Sequence, residues 1–107
     1  MSDRTVEDVA LLRTLAALLE RSPRVRRLAE RHAGASVDEL ASEAADSLVD
    51  IRRSAEALCW NLLPQLLRLQ PESTEFDGVL DDIAEELRHI GSHIRNTKLF
   101  DYVLPGE

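Results

Sequence analysis

The chain has 107 residues, of which 44% are hydrophobic and 31% charged, with a formal net charge of −7. This balance suits one globular domain over residues 1–107 and argues against disorder, while the negative field disfavours contact with phosphate backbones and so with nucleic acid. Cys59 is the only cysteine, which excludes an internal disulfide and a cysteine metal cluster, and no apolar run reaches the roughly 18–20 residues of a membrane span.

Thr5 followed by Asp8 caps a first helix over about Val6 to Arg21. At about 100° per residue, Leu11, Leu12, Leu15, Leu18 and Leu19 gather on one face of it. Its apolar run is interrupted by Arg13 and preceded by Glu7 and Asp8, unlike a secretory signal, so a cytoplasmic location is expected. Ser22 and Pro23 restart the chain as cap and first helical residue, and Gly34 ends the short second helix in a left-handed conformation.

Ser36 with Glu39 reads as a capping box opening the longest element. Val37, Leu40, Ala44, Leu48, Ile51, Ala55, Leu58, Leu62, Leu66 and Leu69 keep one helical phase along it, through Pro64. A proline inside a helix removes a hydrogen bond and crowds the preceding turn, which predicts a kink near Asn61 to Pro64. Pro71 closes this element. The last helix follows Thr74 and runs to about Asn96, with Leu80, Ile83, Leu87, Ile90 and Ile94 at the three- and four-residue spacing of a bundle seam. Glu75, Asp77, Asp81, Asp82, Glu85 and Glu86 fill its first half, and Arg88, His89, His93 and Arg95 its second, as the helix dipole favours.

The expected fold is therefore all-α: an antiparallel bundle of four helical segments, one of them long and kinked at proline, with a short apolar C-terminal tail. The expected shared core is Leu15, Leu48, Leu58, Leu62, Ile83, Leu87 and Ile90, with Cys59 buried beside it.

Two features exceed what such a bundle needs. Val49, Trp60, Leu63 and Leu67 form a second apolar face on the long helix, roughly 80° to 140° from the main stripe. The tail from Lys98 to Pro105 is also apolar, and Phe100 and Tyr102 are two of only four aromatic residues in the chain. Such a tail either folds back over the bundle end or docks on another chain. Trp60, Leu63, Leu67, Phe100 and Tyr102 are accordingly the candidate partner-binding residues, for a second copy of this chain or for another protein. Tryptophan in particular is enriched in binding hot spots.

Chemistry-bearing motifs are sparse. Glu86, His89 and His93 share a flank of the last helix at metal-ligand spacing, but no matching ligand pair appears on another helix, so neither a metal nor a cofactor is expected. Asp46-Ser47-Leu48 is the tripeptide that carries phosphopantetheine in acyl carrier proteins, yet unbroken periodicity places Ser47 in mid-helix here. The segment Arg88-His89-Ile90-Gly91-Ser92-His93 resembles the R-x4-H motif of HEPN-domain ribonucleases, helical proteins of toxin–antitoxin and defence systems. That resemblance spans six residues, and the same spacing recurs from Arg27 to His32. It implies Arg88 and His93 as catalytic residues meeting at a dimer cleft to cleave RNA without metal, with His89 as the polar neighbour. The favoured expectation remains a non-enzymatic interaction module acting through an apolar helix face, with the HEPN-like nuclease as the alternative.

Overall fold

Side-chain hydroxyls start the helices where the sequence sets them. Thr5 Oγ1 accepts from the Asp8 amide at 3.1 Å, and the Asp8 carboxylate accepts from the Thr5 amide at 3.3 Å, closing a capping box at the head of α1 (Val6–Glu20). Ser22 accepts from the Val25 amide at the start of α2 (Pro23–Arg31), whose first residue is Pro23. Past the end of α2, Gly34 turns the chain at φ +89°, the left-handed conformation that favours glycine. The Glu39 amide then donates to Ser36 Oγ at the start of α3 (Val37–Ala57). Ser73, one residue earlier than expected, accepts from the Phe76 amide and caps α5 (Thr74–Asn96).

The computed structural model describes residues 5–32 and 34–104. Among these, 86% are helical and no strand occurs. The all-α expectation holds at this level, but the helical segments differ from those expected. The long element stays helical from Val37 to Arg68 by passing through a π turn, Leu58–Leu62, into α4 (Leu63–Arg68). Pro64 accounts for it. The proline has no amide to donate to the Trp60 carbonyl, and its ring would crowd that carbonyl in a regular helix. A turn with one extra residue relieves the crowding, and the Leu63 amide reaches back five residues to the Leu58 carbonyl. The expected tail is also helical, forming α6 (Lys98–Val103); Pro105 lies outside the described residues.

The chain divides into two compact units, Met1–Val49 with Ile94–Glu107, and Asp50–His93. The first is built on Val25, Leu28, Ala29, Leu40, Ala44 and Leu99, all buried, with Leu19, Ala35, Val37, Phe100 and Tyr102 packed against them. Three further contacts hold α6 to this core. Ser47 and Thr97 share a buried hydrogen bond of 2.6 Å. The Lys98 amide donates to Glu43 Oε1 at 3.0 Å, which puts an anion at the start of α6. The Tyr102 ring stacks on His32 with centroids 3.6 Å apart.

The second unit is a helical hairpin. Ser54 pairs with His89 and Asp50 with His93, so as one side retreats four residues the other advances four, and the two arms run antiparallel. Leu62 and Val79 are its buried large apolar residues, at 6% and 7% exposure. Here the expected core needs correction. Leu58, Ile83 and Ile90 are only half-buried, as are Leu15 and Leu48 in the first unit, and Leu87 is 55% exposed. Cys59 is exposed rather than buried. A three-four repeat fixes the phase of a broad stripe, but a single facing helix covers only one side of it. Leu87 and Cys59 lie on the side left open.

Candidate functional site

Helical rotation fixes which side of the hairpin is open. On α5, Val79, Ile83 and Ile90 share the side toward the opposite arm, and Leu80 and Leu87 are turned from them by roughly 40–100° in one sense. On the other arm Leu63 and Leu67 follow the inward Leu62 and Leu66, turned by about 100° in the same sense along the chain. Because the arms are antiparallel and both helices right-handed, the same rotational sense brings both sets to one face of the hairpin. The Ser54–His89 hydrogen bond and the Asp50–His93 contact give the register, which carried along the arms sets Leu63 near the level of Leu80. Leu63 (44%), Leu67 (87%), Leu80 (43%) and Leu87 (55%) are all exposed there, with Cys59 and Ala84 exposed among them. Trp60, in the π turn and 79% exposed, borders this face on its outer side. It is an apolar surface of the kind that single soluble chains rarely leave uncovered.

Side chains turned in the other sense form a polar ladder. Ser54 Oγ lies 2.8 Å from His89 Nδ1, His89 Nε2 lies 3.2 Å from His93 Nε2, and His93 Nε2 lies 3.4 Å from Asp50 Oδ2. Ser54 is only 3% exposed, and its hydroxyl is engaged by His89 across the two arms. Among the described residues no group of three or more histidine, cysteine or acidic side chains is placed to hold a metal ion.

Of the second apolar face expected on the long helix, Trp60, Leu63 and Leu67 share the exposed apolar region of the second unit, whereas Val49 is fully buried in the first and is no part of that face. Phe100 and Tyr102 are half-buried against the core of the first. Arg88 pairs with Glu85 one turn away on the exposed side of α5, whereas His93 is engaged by His89 and Asp50. Five residues of helix separate the directions of Arg88 and His93 by roughly 140°, so this chain by itself does not bring them together. A cavity of about 280 Å³ in the first unit, lined by Ala35, Glu39, Leu40, Glu43 and Lys98, includes neither residue.

The sequence pattern does not mark the part of the apolar face contributed by α5, because the three-four spacing puts Leu80 and Leu87 on the expected bundle seam. Ser54 is a further addition, whose signal in the sequence is a small polar residue in phase with the inward stripe. Among the described residues, no helix is long and apolar enough to cross a membrane. Comparison with models of known families, with curated proteins and with solved structures gave no match.

Proposed function

We propose that this chain is a non-enzymatic protein–protein interaction module, a small helical adaptor, regulator or assembly subunit, that binds through the apolar face of its hairpin unit. One observation carries the reading: Leu63, Leu67, Leu80 and Leu87 are exposed on a single face, with Trp60 beside them. Burying such leucines against a partner is favourable by roughly 25 cal/mol for each Å² removed from water. Tryptophan at the margin supplies the large, rigid contact that dominates many interfaces. Phe100 and Tyr102 contribute to the core of their own unit, so the proposal rests on Trp60, Leu63 and Leu67 together with the α5 leucines. No observation favours the HEPN-like alternative, since Arg88 and His93 are each engaged by other side chains.

The test is light scattering on the wild type and on Leu67→Glu, followed by affinity capture from host lysate with both. Leu67 is 87% exposed, so the substitution should leave the melting curve in place while abolishing association or specific capture. A wild type that stays monomeric and retains nothing that Leu67→Glu fails to retain would sink the reading.

A further inference from the structure

We propose that the occupant of this face is a second copy of the chain, docked so that α5 runs antiparallel to α5 of the other copy. The twofold axis lies midway between Ala84 and Leu87. The inference rests on the reading of the hairpin face as an interaction surface, and it adds the partner and its geometry.

Leu80, Ala84 and Leu87, all exposed, and the half-buried Gly91 recur at four-, three- and four-residue spacing along one side of α5, the seam spacing of paired helices. The order along the seam is large, small, large, small. Laid against an inverted copy of itself about the stated axis, it places Leu80 opposite Gly91 and Leu87 opposite Ala84. Each leucine then meets a position with little or no side chain, which lets the two helices approach closely. Glycine within a helix is unfavourable by about 1 kcal/mol relative to alanine, and close approach to a second helix gives Gly91 a role there.

Charge points the same way. Asp77 and Asp81 flank the early part of the seam and Arg88 the late part. Inversion about the same axis brings Asp81 within a turn of Arg88 of the second copy, whereas a parallel pairing would carry the two charged flanks to opposite edges of the interface and leave them unpaired there. The hairpin is also thin, with Leu62 and Val79 its only buried large apolar residues. A second hairpin laid on the first completes a four-helix arrangement with a shared interior.

Sedimentation equilibrium on the full chain, paired with cysteine cross-linking, tests this. The wild type should be a dimer, and Leu87→Glu a monomer with an unchanged circular dichroism spectrum. In a Cys59→Ser background, Ala84→Cys should yield a disulfide-linked dimer on mild oxidation, because its two copies are offset by only about 4–5 Å along the helices. Leu80→Cys should not, since its copies would lie about 16 Å apart along them, beyond the roughly 7 Å that a disulfide spans. The cross-linking pair decides the orientation even if Leu87→Glu fails to fold. Equal cross-linking of Leu80→Cys and Ala84→Cys overturns the antiparallel pairing. A monomeric wild type overturns the second copy as occupant, while capture of a partner that depends on Leu67 would leave the interaction reading standing.

Discussion

Replacing Leu99 by alanine tests whether α6 belongs to the core of the first unit. Leu99 is 4% exposed and lies in one cluster with Val25, Leu28, Ala29, Leu40 and Ala44. Truncating a leucine buried to this degree forfeits its transfer from water and leaves a cavity, at a cost of about 3 kcal/mol within the usual range of roughly 2–5. Unfolding entropy near 60 °C is about 2.1 cal/mol/K per residue, which for a chain of this length is roughly 0.2 kcal/mol/K. The expected fall in melting temperature is therefore about 13 °C, read by far-ultraviolet circular dichroism. Val103→Ala, at a helical position that is 37% exposed, is the matched control and should shift the midpoint by no more than about 4 °C. If Leu99→Ala melts within 2–3 °C of the wild type (roughly the span of a surface substitution), α6 does not hold its place in this core and the argument for its docking fails.

Two further outcomes are expected. Ser54→Ala removes the hydroxyl that partners His89 Nδ1, and should lower stability by about 1–2 kcal/mol in urea unfolding, with faster amide exchange in the middle of α5; unchanged exchange would show that the ladder does not set the register. Cys59, exposed within the apolar face, should react quickly with a thiol reagent in dilute protein and slowly at concentrations where chains associate. A rate independent of concentration would place Cys59 outside any interface.

Much of the local structure was legible before the fold. The hydroxyl caps at Thr5, Ser22 and Ser36 and the turn at Gly34 follow from short-range hydrogen bonding and backbone sterics, so a few neighbouring residues suffice to predict them. Pro64 announced a disturbance, but not its form. A kink and a π turn both satisfy a missing amide, and the choice depends on how the following turn is held. The core was harder to read. The spacing of Leu80, Ile83, Leu87 and Ile90 fixes which way they point on α5, but which flank is covered depends on the rotational position of the facing arm, and no local pattern encodes that. For the same reason Cys59 was expected inside, and the α5 part of the apolar face was not foreseen. Trp60, Leu63 and Leu67 were visible early because they lie well away from the main stripe, in excess of what one covering helix can bury. The tail was legible in composition alone: Leu99, Phe100 and Tyr102 had to be covered by something, and only the fold shows that Val25, Leu28 and their neighbours cover them.

The placement of two aromatic side chains gives this protein a built-in optical readout. Its single tyrosine, Tyr102, stacks on His32 in one compact unit, and its single tryptophan, Trp60, stands in the π turn of the other. Excitation at the red edge of the absorption band selects the indole, while the phenol can be followed through its own near-ultraviolet signal. Each chromophore thus reports on the unit that carries it, without any introduced label. Superimposable denaturation curves from the two would mean that the chain melts as one cooperative body, and separated curves that each unit has a stability of its own.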